Sequence, residues 1–284
     1  MSGSTPPPIQ PAEPPLVAAP AAETMPAAEP APEPAAPTEP TPEPTVPTVH
    51  LRISRSRTGD RKPHFDDFEC TRQPGATVLD MLIEIRRRHD PSLVLRHSCM
   101  HASCGTCGVR INGREALACD TKVASITAPT IGVEPLANQR PVADLATDMV
   151  DFYARLEAVG FPLVRSSEAA GAEPPEGVKA YTRFENCIEC GLCLSACPIS
   201  RTDRSYLGPA ALAAAARVAD EPRGQPLGPV LALAAEPDSV WRCRDAMQCT
   251  VVCPSAVDPA RALLGLRRRV AFGRIRSLFG RGTQ

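Results

Sequence analysis

Twelve cysteines are placed along the 284 residues, and eleven fall into three groups whose spacing is that of iron–sulfur ligation; Cys70 stands apart. The first group is Cys99-x4-Cys104-x2-Cys107, with Cys119 downstream. A tight three-thiol loop with a distant fourth thiol matches a [2Fe–2S] centre. Gly105 and Gly108 let the backbone bend closely enough for amide N–H groups to face the sulfurs. Zinc ordinarily takes two separated Cys-x2-Cys pairs, and this stretch has one. The second group, Cys187-x2-Cys190-x2-Cys193-x3-Cys197-Pro198, has the spacing in which three thiolates hold one cubane and the fourth crosses to another cluster. The third, Cys243-x5-Cys249-x3-Cys253-Pro254, supplies the partner run but carries Ala246 where the second cysteine belongs. Crossing the last cysteine of each run assigns Cys187, Cys190, Cys193 and Cys253 to a [4Fe–4S] cluster. Cys197, Cys243 and Cys249 remain for the other. A methyl group cannot bind iron, so that site is expected to hold [3Fe–4S], with a higher reduction potential. Three clusters of different type make a conductor between partners that do the chemistry.

The elements that must hold these thiols are legible in outline. Residues 49–55 alternate as a strand, and 64–70 pair with it. Thr77 caps a helix through about Arg88, with Val78, Leu79, Leu82, Ile83 and Ile85 on its buried side. Asn112-Gly113 is a hairpin turn that returns Cys119 to the loop. Strands are expected near 108–111, 117–119 and 123–128. Residues 144–159 read as an amphipathic helix and 160–178 as a loop rich in Gly, Pro and Glu. From 184 onward the pattern is helical, with a cluster-binding turn, helices at 208–219 and 239–248, and a last helix from about 258. Cys70 is expected to be a buried strand thiol, and His97 and His101 polar residues at the lip of the first loop. The fold class is α+β: a β-grasp, plant-type [2Fe–2S] ferredoxin domain over 49–143, then an all-α, bacterial-ferredoxin-like domain over 144–284.

Residues 1–48 hold 16 prolines, six glutamates and no Lys or Arg, a composition that cannot offset chain entropy and is expected to be disordered. It has neither the positive n-region nor the apolar core of a targeting peptide. The remaining chain carries 31 basic and 26 acidic groups, only mildly basic, which argues against a protein built for nucleic acid. No apolar run reaches the roughly 18 residues of a membrane span. Twelve thiols in such a chain are metal ligands sooner than disulfides. Seven arginines and no acid over residues 261–284, interleaved with large apolar side chains, suit a membrane face or an anchor protein.

With these runs placed, the chain resembles the iron–sulfur subunit of succinate dehydrogenase and fumarate reductase, from about residue 49 to 270. The likeness rests on the first cysteine loop, ADLATDMVDFYARLEA (143–158), CIECGLCLSACP (187–198), LGPAAL (207–212) and SVWRCRDAMQCTVVCPSAVDPARAL (239–263). It implies an oxidoreductase subunit lying between an FAD-containing flavoprotein, where succinate and fumarate interconvert, and a membrane anchor beside which quinone binds. It also implies a peripheral position on the cytoplasmic face of a prokaryotic membrane, and a quinone pocket involving Pro198, Trp241 and Arg244. Two departures stand out. Ile199, Ser200, Arg201 and Thr202 replace the tryptophans that many members carry after the central Cys-Pro. Arg244 stands where ubiquinone enzymes often place His. Both favour menaquinone over ubiquinone, and both permit an alternative, a soluble fumarate reductase with a non-quinone donor.

Overall fold

The computed structural model describes residues 48–57, 60, 62–161, 182–220 and 227–279, without the side chains of 182–183 and 274–279. The Pro-rich head (1–47), most of the expected 160–178 loop, and the side chains of Arg274, Arg276 and Arg281 lie outside the described residues.

Strand β1 (Thr48–Arg55) buries Val49, Leu51 and Ile53 on one face and pairs antiparallel with β2 (His64–Thr71). Helix α1 (Val78–Arg88) starts where expected. Asp80 N donates to Thr77 Oγ1 (3.2 Å) while Thr77 N donates to Asp80 Oδ2 (2.8 Å), a reciprocal cap that satisfies two otherwise unpaired donors. Val78, Leu79, Met81, Leu82 and Ile85 form its buried stripe. Strands β3 (Gly108–Ile111) and β4 (Arg114–Leu117) flank Asn112 (φ 48°) and Gly113 (φ 79°), the paired left-handed residues of a type I′ hairpin. The sheet runs β2-β1-β5-β3-β4, with β5 (Thr130–Glu134) parallel to β1.

Two expectations for this half need correction. The segment expected as a strand over 123–128 forms a 3-10 turn at Val123–Ser125, and the strand comes later as β5. It is fixed there by tertiary bonds: Gly132 N donates to Asn112 Oδ1 (2.6 Å) and Asn112 N to Gly132 O (2.8 Å), docking the hairpin turn onto β5. The helix expected over 144–159 begins only at Val150, as α2 (Val150–Ala158), after a small β6 (Pro141–Ala143) and β7 (Ala146–Thr147) pair. Asp144, at φ 44°, takes the N–H of Ser56 (3.0 Å) and of Val94 (2.8 Å), so its backbone is held in a turn. The buried Arg55 joins this knot through Asp66 (2.9 Å), Asp144 (3.2 Å), Asp90 and Ser92.

From within the second cysteine run onward come α3 (Leu192–Ser195), α4 (Pro198–Thr202), α5 (Pro209–Asp220), α6 (Leu227–Ala234), α7 (Gln248–Val251) and α8 (Pro259–Phe279). Buried alanines from 210 to 216 let α5 pack closely on α8. Helix α6 was not anticipated, and the helix expected over 239–248 is a loop until Gln248. Among the described residues no helix is long and apolar enough to cross a membrane.

One side chain does much to orient the two parts. Asn138, itself at φ 62°, donates its Nδ2 hydrogens among the carbonyls of Leu194 (2.9 Å), Ser195 (2.8 Å) and Cys197 (3.0 Å). Ser195 Oγ donates to Glu115 Oε1 on β4 (2.9 Å) and accepts from Ala137 N (2.8 Å). The carbonyls at the end of α3, which that short helix cannot pair itself, are thereby bonded to the sheet domain.

Candidate metal centres

The first cysteine loop winds through left-handed residues at Met100 (φ 62°), Ala102 (φ 61°) and Gly105 (φ 69°). This winding turns amides inward. His101 N (3.5 Å) and Ser103 N (3.4 Å) donate to Cys99 Sγ, and Ala102 N (3.2 Å) donates to Cys119 Sγ. The His101 N–H, with Ser103 and Cys104 adding to it, holds the Cys99 thiol down to about 5. Burial pushes Cys107 up to about 12, and the neighbouring charges of Cys119 and Cys104 push the same way. Ala118 N donates to Cys107 O (3.1 Å), which ties the hairpin's return strand to the loop and brings Cys119 beside it. His101 sits exposed on the lip, its ring bonded to Cys99 O (2.5 Å) and Ser103 Oγ (3.0 Å), so it braces the loop. Cys70 is a buried core thiol on β2, pushed up to about 11 by burial.

The second and third runs are one local structure used twice. Two residues after Cys187 and Cys243 come the left-handed Glu189 (φ 52°) and Asp245 (φ 57°); two further on come Gly191 (φ 77°) and Met247 (φ 56°). A four-residue helix follows each, closed by the same bonds: Ala196 N to Leu192 O (2.9 Å) and Val252 N to Gln248 O (3.1 Å). Cys193 matches Cys249, Cys197-Pro198 matches Cys253-Pro254, and Cys190 matches Ala246. A left-handed methionine costs roughly 1–2 kcal/mol where glycine costs little, so the third run holds this backbone against its own preference. These alternating left-handed residues are why 243–247 cannot be the helix its composition predicts.

The thiols of the two runs are interleaved around two cavities. One is lined by Cys187, Cys190, Cys193 and Cys253. The other is lined by Cys197, Cys243 and Cys249, with Ala246 on its wall. Electrostatics follow the same grouping at Cys190 and Cys249, while Cys193 also feels Cys249 of the other group. Burial first, then the nearby charges of Cys187 and Cys253, push Cys190 up to about 12; burial and then Cys197 and Cys243 do the same to Cys249. Buried sulfurs that repel one another need a cationic core to release their protons. Among the described residues no three His, Cys, Asp or Glu side chains converge on a point that one ion could occupy. Sulfurs ringing a cavity suit a core of several iron atoms better than a single tetrahedral zinc.

The first loop lies directly against the second run. A Cβ built on Gly105 would stand 2.7 Å from Cys190 Cβ and 2.7 Å from Ile188 O, and the residue is also left-handed. Gly105→Ala is therefore expected to destabilise the protein by about 1–3 kcal/mol and to lower cluster content at both neighbouring centres. Thermal unfolding and iron analysis of the purified variant check this.

Of the residues implicated in quinone binding, Pro198 and Arg244 line the three-thiol cavity. Trp241 is not among that cavity's lining residues; its indole donates to Ala235 O (3.1 Å). Two further participants had no sequence signal. Arg267 on α8 donates to Val240 O (3.1 Å) and Cys243 O (2.9 Å) and pairs with Asp245 (3.2 Å), clamping the third run. Tyr206 lines the same cavity as Cys243.

The family described as "2Fe-2S iron-sulfur cluster binding domain" matches residues 50–154, and "4Fe-4S dicluster domain" matches 183–257. The chain is 35% identical over 221 residues to the fumarate reductase iron-sulfur subunit of Mycobacterium tuberculosis, covering 76% of this chain and 90% of that relative. It is 32% identical over 220 residues to the Haemophilus influenzae fumarate reductase iron-sulfur subunit (72% and 85%). Against the mitochondrial succinate dehydrogenase [ubiquinone] iron-sulfur subunit 2 of Oryza sativa it is 34% identical over 215 residues (73% and 69%). A chain of the Mycobacterium smegmatis Sdh1 complex in the apo form has the same fold, with a TM-score of 0.72 at 24% identity over 80% of this chain and 97% of that one. The two matched domains accordingly support [2Fe–2S] and [4Fe–4S] centres in this chain. With identities above 30% across most of both chains, and with each ferredoxin-like half matched, this chain belongs to the family of succinate dehydrogenase and fumarate reductase iron–sulfur subunits.

Proposed function

We propose that the chain relays electrons between an FAD-containing flavoprotein and membrane quinone, as part of a succinate:quinone oxidoreductase or a quinol:fumarate reductase. The observation that carries this reading is the interleaved lining of the two cavities, one with four thiols and one with three, beside a separate four-cysteine loop in contact with them. In this assignment Cys99, Cys104, Cys107 and Cys119 hold [2Fe–2S], with a domain boundary near residue 143. Cys187, Cys190, Cys193 and Cys253 hold [4Fe–4S], and Cys197, Cys243 and Cys249 hold [3Fe–4S].

When bound, the clusters supply one-electron carriers of graded potential. The chain's own residues set their surroundings. Amides of His101, Ser103 and Ala102 stabilise negative charge on the sulfurs of the first loop, and those of Asp245 (3.4 Å to Cys243 Sγ) and Val257 (3.4 Å to Cys253 Sγ) do so in the third run. Gly105 permits the contact that brings the first loop against Cys190, and Leu192 and Val252 join the same apolar core as Cys107 and Cys119. The exposed turn Arg244–Gln248 forms part of the wall of the three-thiol cavity, where quinone would be met.

The partners are a flavoprotein and an anchor protein at the cytoplasmic face of a prokaryotic membrane, with menaquinone as the favoured quinone. The basic α8, carrying Arg261, Arg267, Arg268 and Arg269, supports that placement. Purification from detergent-solubilised membranes tests it. The flavoprotein and an apolar anchor are expected to co-purify, with succinate-dependent reduction of a menaquinone analogue. Recovery of an active complex from the soluble fraction, reducing fumarate with a non-quinone donor, overturns the anchored reading in favour of the soluble one.

A further inference from the structure

We propose that Asn138 is a positioning residue of the relay: its amide latches the second cysteine run to the sheet domain and so sets the gap between the [2Fe–2S] and [4Fe–4S] stations. This rests on the assignment of those two centres above and extends it to a residue outside the cysteine runs.

Ala137, Asn138 and Gln139 follow β5, which pairs with the β3 strand that leaves the first cysteine loop. All three reach residues 191–197 of the second run. Ala137 N donates to Ser195 Oγ (2.8 Å), and Gln139 Nε2 donates to Gly191 O (3.4 Å). Asn138 spreads two hydrogens over the carbonyls of Leu194, Ser195 and Cys197, so one hydrogen is shared. The latch is itself held from behind: Arg204 Nη1 donates to Asn138 O (2.8 Å), and Thr147 Oγ1 donates to Gln139 Oε1 (3.0 Å). Asparagine suits the position twice over. It enters the left-handed conformation found here more readily than most side chains, and its amide supplies two donors.

The third run repeats this backbone but is held differently. The carbonyls of Thr250, Val251 and Cys253 correspond to those of Leu194, Ser195 and Cys197, and among the described residues no side chain donates to them. Arg267 of α8 grips that run instead, at Val240 O and Cys243 O. The hydrogen bonds of Asn138 thus tie to the sheet domain the run that carries three of the four thiols of the [4Fe–4S] cavity. At the contact itself, Gly105 lies against Cys190, and Gly108 against Cys190 and Leu192. Packing draws two surfaces together without fixing where they stop, whereas hydrogen bonds have a direction and a length. One electron crosses between the two centres, oxidising one and reducing the other, with no bond made or broken. The step therefore depends on the gap, and the latch fixes the gap.

The test is Asn138→Gly in the full, cluster-loaded chain, since glycine keeps the left-handed backbone and removes both donors. A reduced [4Fe–4S] centre speeds the magnetic relaxation of a reduced [2Fe–2S] centre, an effect that fades steeply with separation. In the fully reduced, unaltered protein the [2Fe–2S] EPR signal is expected to need several-fold more microwave power to saturate than when that centre alone is reduced. In Asn138→Gly this rise is expected to be largely lost at unchanged iron content. Ser195→Ala removes only the links to Ala137 and Glu115 and is expected to give a smaller loss in the same direction. Full iron with an undiminished rise in either variant overturns the inference, as does the lack of any rise in the unaltered protein when both signals are present. Loss of iron from both variants overturns it in favour of a purely structural role. Absence of a [2Fe–2S] or [4Fe–4S] signal from the fully reduced, unaltered protein overturns instead the assignment on which it rests.

Discussion

Replacing Cys253 with alanine is expected to abolish the four-iron centre although the residue lies in the other cysteine run, leaving the three-iron signal of the oxidised protein in place. Cys253 lines the cavity of Cys187, Cys190 and Cys193 and is absent from the wall shared by Cys197, Cys243 and Cys249. Its charge is felt at Cys187, Cys190 and Cys193. Changing even an outer-shell partner of a metal typically costs about 10–100-fold in affinity, and a lost thiolate ligand costs more. The reduced-state four-iron EPR signal should therefore drop at least tenfold, with about four fewer irons per chain. Selective loss of the three-iron signal would show that the last cysteines do not cross.

The converse substitution, Ala246→Cys, is expected to convert the three-iron centre to four-iron. Position 246 lies between left-handed Asp245 and Met247 just as Cys190 lies between left-handed Glu189 and Gly191, so a thiol there projects into its cavity as Cys190 does into the other. A fourth thiolate adds one negative charge and should lower the midpoint by more than about 60 mV, a tenfold change in the one-electron equilibrium. Iron analysis should rise by one atom per chain, and the oxidised variant should lose its three-iron EPR signal. A persistent signal at unchanged iron content contradicts the equivalence of Ala246 and Cys190.

How much of this was legible beforehand divides along physical lines. The thiol groups, the Asn112-Gly113 hairpin and the Thr77 cap were readable because each depends on residue types a few positions apart. The delayed start of α2 was not, since Asp144 is held by amides of Ser56 and Val94, 88 and 50 positions away. Nor was the loop at 243–247, whose left-handed Asp245 and Met247 oppose local preference and are clamped by Arg267 from α8. Tyr206 belongs with these. Spacing names a ligand, but only tertiary packing identifies what stands beside it.

The trading of last thiols between the two runs bears on how the protein acquires its iron. Filling either cavity draws in a residue from each run, so the first core to be built closes both loops and prepays most of the ordering entropy of the second. The second core is then easier to load than the first, and oxidative loss of either core loosens the other without emptying it. A maturation apparatus serving this chain thus meets the two cavities as a linked pair, whereas the hairpin loop around Cys99 belongs to neither run.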